Sequence, residues 1–116
     1  MLAASLLGAA AVVLGAAGSH ALPVSDESRW WLANGYHLAH AVVLAILAVS
    51  VRRSSVWLML SLCSFLAGTL LFSGSLYLLA LEKIATASAA PFGGILLITG
   101  WLSLGLHGAL SKDSSG

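Results

Sequence analysis

Charge is confined to four places in this chain of 116 residues: Asp26, Glu27 and Arg29; Arg52 and Arg53; Glu82 and Lys83; Lys112 and Asp113. Between them run four uncharged stretches, 1–25, 30–51, 54–81 and 84–111. Each exceeds the roughly 20 residues that an α-helix needs to cross the hydrocarbon core of a bilayer. With no water at that depth, a spanning segment must satisfy its own backbone groups, and helices do so within one segment. The composition agrees: 59% hydrophobic and 8% charged residues lie outside the range of soluble domains. The expected fold is therefore all-α, an integral membrane four-helix bundle running up-down-up-down. It forms a single domain over 1–111, with spans at about 2–22, 31–51, 56–81 and 91–110 and a polar tail at 112–116. A net charge of +1 supplies no basic face for nucleic acid.

The first stretch is alanine-rich and ends in small residues, as a secretory signal does. It lacks a basic leader segment and its apolar run is long, so a retained helix is expected. Arg52, Arg53, Lys112 and the amino terminus would share one side, and Arg29 and Lys83 the other, which places both termini in the cytoplasm. Trp57 and Tyr77, twenty residues apart in the third span, are expected as aromatic anchors at the two interfaces, and Trp30 and Trp31 as markers of the outer surface. Asp26 or Ser28 is the expected cap of the second helix. Pro91 suits the first turn of the fourth, where its missing N–H costs nothing. Small residues at Ala4, Gly8, Ala11, Gly15 and Gly18 make a seam for a close neighbour, and Ser61, Ser64, Gly68 and Ser75 are expected to face protein. Cys63, the sole cysteine, is expected as a small packing residue.

The residues that could carry chemistry open the second span, in WWLANGYHLAH from Trp30 to His40. Helical geometry puts His40 within about 60° of both Tyr36 and His37, so the three suggest one polar face in an apolar element. Polar groups at membrane depth mark a functional site by default. With His20 at the end of the first helix they form an outward-side candidate binding cluster: His20, Tyr36, His37 and His40. Haem b ligation would pair His20 with His37 on two helices. A metal site is not expected, because the three imidazoles have no carboxylate or thiol nearby other than the loop acids. The competing reading is that the imidazoles simply hydrogen-bond to Tyr36, Asn34, the serines of the third span or backbone. His40 is expected to be neutral near the midplane, bonded to Ser64, Thr69 or Ser75, so that His40→Leu changes stability little. His107, near the inner end of the fourth span, is expected to cap or snorkel, and Trp101 to point inward toward a buried acceptor. No span holds a carboxylate, which argues against a proton-coupled exporter. Ser19 beside His20 gives no more than two members of a triad, so no catalytic residues are assigned.

Four stretches, LGAAGSHAL (14–22), YHLAH (36–40), LAGTLLFSGSLYLLAL (66–81) and APFGGILLITGWLSL (90–104), resemble domain-of-unknown-function family 423. That family comprises small bacterial inner-membrane proteins of the YgdD type and is related to eukaryotic transmembrane protein 256. Ser19 stands where the family usually has alanine, and Ala90 where it usually has threonine; neither disturbs the fold. The resemblance implies a multi-pass protein of the cell inner (plasma) membrane with unassigned activity, and supplies no mechanism. The leading functional expectation is a non-enzymatic accessory or structural component, surrounded by lipid and packing within a larger membrane assembly or a homo-oligomer. The alternative is a binding or transport module for a small ligand, lipid, quinone or haem.

Overall fold

The computed structural model describes residues 1–113, and its four long helices follow the four uncharged stretches: α1 Leu2–His20, α2 Glu27–Ser50, α3 Val56–Ala80 and α4 Ala90–Asp113. All four are long and apolar enough to cross a membrane, and no strand occurs among the described residues. Local chemistry explains the boundaries. Asp26 caps α2 by accepting the Arg29 N–H at 3.0 Å, so this helix begins at Glu27, one turn before the tryptophan pair. Ser55 caps α3 in the same way, taking the Leu58 N–H at 3.1 Å. At the far end of α3 the N–H groups of Glu82 and Lys83 bond back to the carbonyls of Leu79 and Leu78. Glu82 closes that turn with φ 59°, a left-handed conformation usually left to glycine. Pro91 lies in the first turn of α4. Helix α4 continues through Lys112 to Asp113, into the expected polar tail; residues 114–116 of that tail lie outside the described residues.

The helices pack in chain order, α1 on α2, α2 on α3 and α3 on α4, giving a flattened body of 55 × 25 × 18 Å. Side chains from all four meet in one apolar core, with Ala4 and Leu7, Ala41 and Leu44, Phe65, and Leu97. The closest backbone approach joins α3 to α4. A Cβ at Gly93 would fall 2.4 Å from the Phe72 nitrogen and 2.9 Å from the Gly68 carbonyl oxygen, the small-residue packing by which helices associate in lipid. The seam of α1 behaves similarly. Ala4 and Ala11 are buried, Gly15 lies against the Asn34 amide, and Gly18 leaves the notch that holds the Trp30 indole, whereas Gly8 has open space beside it. Ser61, Ser64, Gly68 and Ser75 are all buried.

Two expected anchors are corrected. Trp30 is 1% exposed, with its indole N–H donated to the Leu14 carbonyl at 3.1 Å, because the Gly18 notch admits the ring and uncovers an acceptor. Tyr77 is also buried, edge-on to Trp30 with its hydroxyl in the interior. Trp31, by contrast, is exposed. Cys63 is likewise exposed, in contrast to the expected packing role.

Candidate functional site

The polar interior is built on the α2–α3 seam. On α3 the residues Thr69, Ser73 and Tyr77 follow at intervals of four, so they share one face. That face meets Ala33, Asn34 and His37 of α2. Ser73 Oγ donates to the Ala33 carbonyl at 2.8 Å. Asn34 Nδ2 donates both to the Ala11 carbonyl of α1 at 2.8 Å and to Tyr77 Oη at 3.1 Å. His37 Nδ1 lies 3.0 Å from the same Tyr77 oxygen. One network thus ties three helices together.

Proton counting fixes its direction. Tyr77 Oη accepts from Asn34, so its own O–H is free to donate to His37 Nδ1. The neutral imidazole then carries its proton on Nε2. This nitrogen is buried without a hydrogen-bond partner, and so is the hydroxyl of Thr69. The Leu7 carbonyl is near the ring but outside hydrogen-bond geometry from Nε2. His37 and Thr69 both contribute to the wall of one cleft of about 260 Å³ between α1 and α3, whose remaining lining includes Leu7, Ala10, Leu14, Leu70 and Gly74, and their orphan atoms lie beneath that wall.

The second intramembrane histidine faces the other way. His40 Nδ1 lies 2.7 Å from the Tyr36 carbonyl, one turn back on its own helix, and His40 Nε2 accepts the Trp101 indole N–H at 3.2 Å. A carbonyl can only accept, so the proton sits on Nδ1, and the neutral ring satisfies both contacts. The expectation that His40 bonds to Ser64, Thr69 or Ser75 is therefore corrected. Its partners are its own backbone and α4, and Ser75 Oγ instead bonds back to the Leu71 carbonyl. Trp101 finds the acceptor it needs while remaining 50% exposed, so it lies across the bundle edge and does not point inward.

Of the four candidate site residues, Tyr36 and His40 come together, their rings stacked with centroids 6.1 Å apart, whereas His37 and His20 stand away from that pair. Neighbours on a helix step by about 100°, so Tyr36 diverges from His37. Tyr36 is exposed, with its ring against Phe72 at 4.7 Å. His20 is exposed in the last turn of α1. His37 lies alongside Leu7, thirteen residues earlier on α1, or about 20 Å along the helix. That separation does not fit a haem held between His20 and His37. No group of three potential metal ligands occurs among the described residues. Ser19 Oγ bonds to the Gly15 carbonyl of its own helix. His107 is buried near the end of α4, 2.7 Å from the Oγ of Ser55, the cap of α3.

The residues that sequence reasoning missed are on α3. The sequence does not single out Ser73, offers Thr69 only as a partner of His40, and makes Tyr77 read as an interfacial anchor. Their four-residue spacing was the signal available.

The model of the family described as "Protein of unknown function (DUF423)" matches residues 14–94. The chain belongs to this family. It is 37% identical over 114 residues to a UPF0382 membrane protein of Haemophilus influenzae, covering 94% of this chain and 92% of that one. It is also 37% identical over 119 residues to the UPF0382 inner membrane protein YgdD of Escherichia coli K12, covering 97% and 90%. No solved structure matches. With four spanning-length helices, this DUF423 member is a small multi-pass inner-membrane protein, and its family has no assigned activity. The matched segment includes Asn34, His37, Thr69, Ser73 and Tyr77.

Proposed function

We propose that this protein is a non-enzymatic binding module that holds a small, membrane-soluble molecule in the cleft between α1 and α3. One observation carries the reading: two buried polar groups without partners belong to residues that wall the same small, otherwise apolar cleft. Each such group costs about 1–3 kcal/mol when left unsatisfied, and a bound molecule removes that cost. In this reading the helices run up-down-up-down with both termini cytoplasmic. The lysine and arginine distribution supports that orientation. The alternation itself is supported by the bond from Ser25 Oγ to the Ala80 carbonyl and by the Ser55–His107 pair, which link the α1–α2 and α2–α3 loops to the far ends of α3 and α4. Extraction in native membrane discs followed by mass spectrometry of the organic extract tests the proposal. A Cβ at Gly74 would meet nothing within 4 Å, so Gly74→Leu should fill the cleft without unfolding the protein. A small molecule should co-purify with the wild type and be depleted from the variant. Identical extracts would overturn the reading.

An accessory role within a larger assembly or a homo-oligomer is favoured by a different feature. Gly35 and Ala39 are exposed on α2, in an apolar groove of about 310 Å³ shared with Trp31, Leu32 and Tyr36. Small residues four apart let a second helix approach closely. In a Cys63→Ala background, Ala39→Cys should cross-link to a second copy in membranes. Uncross-linked monomer under all oxidising conditions would count against self-association.

A further inference from the structure

We infer that the α1–α3 cleft recognises a neutral carbonyl group on a membrane-soluble molecule, through the Nε2–H of His37 and the hydroxyl of Thr69. This inference rests on the binding reading above and names its chemistry. His37 is 5% exposed and Thr69 2%, so neither polar atom can turn to water or headgroups. With Nδ1 accepting the Tyr77 O–H, the ring proton is on Nε2, which is left as a donor, and the Thr69 hydroxyl supplies a second. A carbonyl oxygen has two lone pairs and can accept from both. The cleft wall carries no lysine, arginine, aspartate or glutamate. An anion would therefore be buried without a counter-ion, and a cation would face two donors. A neutral acceptor avoids both costs. At about 260 Å³ the space holds eight or nine groups of water size, taking ~30 Å³ for each. That suits a carbonyl with a short apolar flank, while Leu70 on the rim, 59% exposed, leaves the longer tail in the bilayer.

The test uses the full chain in lipid nanodiscs with ¹³C-carbonyl 2-undecanone as the probe and undecane as its acceptor-free match. The ketone should bind saturably, moving the His37 Nε2 resonance and lowering the infrared frequency of the labelled carbonyl. His37→Phe and Thr69→Val should each weaken binding by about fivefold to tenfold, the loss of one hydrogen bond. His37→Gln keeps an N–H donor and should restore part of the affinity. If His37→Phe fails to fold, Thr69→Val, which leaves the shape nearly unchanged, decides. Undecane competing as well as the ketone would overturn carbonyl recognition while leaving a binding cleft in place. If neither probe binds and Gly74→Leu changes nothing in the organic extract, both readings fall. A His37 Nε2–H already strongly hydrogen-bonded without ketone, to water or to the Leu7 carbonyl, would also overturn the inference.

Discussion

His37 and His40 stand one turn apart on α2, equally buried at 5% exposure, yet only one is complete. His40 has a carbonyl on one nitrogen and an indole on the other, within an aromatic group of Phe65 and Trp101. His37 has a tyrosine on one nitrogen and no acceptor in hydrogen-bond geometry on the other. The difference follows from packing. Near His40, α3 and α4 are pressed together at glycines and bring an aromatic donor within reach. Near His37, α1 and α3 flank α2 without close backbone approach, and the gap between them is the cleft. Burial alone therefore does not distinguish a structural histidine from a binding one; the state of the second nitrogen does.

The contrast is open to breakage on the packed side first. Gly93→Ala would drive a Cβ into the α3 backbone at Phe72, and overpacking of this kind costs about 1–3 kcal/mol. Unfolding in mixed micelles should show a loss in that range, whereas Gly74→Ala beside the cleft should cost nothing measurable. Equal losses would mean that the two sides are packed alike.

Next come the histidines themselves. His40→Leu strands the Trp101 N–H and should cost about 1 kcal/mol, slightly more than the ~0.6 kcal/mol average for hydrogen bonds between membrane helices. His37→Leu strands the Tyr77 O–H but also removes the unpartnered Nε2–H, so one buried orphan donor replaces another and the net cost should be that of one hydrogen bond between membrane helices, ~0.6 kcal/mol. The same unfolding assay decides, and the reverse order would refute the distinction between the two rings. The structure thus revises the sequence-based expectation that His40→Leu is nearly silent, because that expectation lacked Trp101 as a dependent partner.

The smallest effects sharpen the contrast on α3. Ser73→Ala removes a hydroxyl that is bonded to the Ala33 carbonyl and should cost about 0.6 kcal/mol. Thr69→Val, one turn earlier, removes an unpartnered hydroxyl and should leave stability unchanged or slightly raised. A cost for Thr69→Val equal to that of Ser73→Ala would show that Thr69 has a partner after all.

The fold was legible because charge exclusion from the bilayer is absolute enough to mark every helix; Asp26 also reads as a cap, whereas the cap at Ser55 emerges only from the structure. The site was only partly legible. Periodicity placed His37 and His40 on a buried side of α2, but it carries no information about which neighbour each would meet. Trp30 and Tyr77 were misplaced because an aromatic near a helix end reads the same whether it anchors at an interface or fills a notch, and the notch depends on Gly18 of another helix. Trp101 and His40 are 61 residues apart, a pairing that only tertiary packing reveals.

The most direct test of the difference between the two rings is ¹⁵N solid-state NMR of histidine-labelled protein in bilayers at neutral pH, with resonances assigned through single-histidine substitutions. The account predicts two neutral imidazoles of opposite tautomer: His37 protonated on Nε2 with a weakly hydrogen-bonded N–H, and His40 protonated on Nδ1 with a strongly bonded one. Finding the same tautomer at both positions, or an imidazolium at His37, would contradict it.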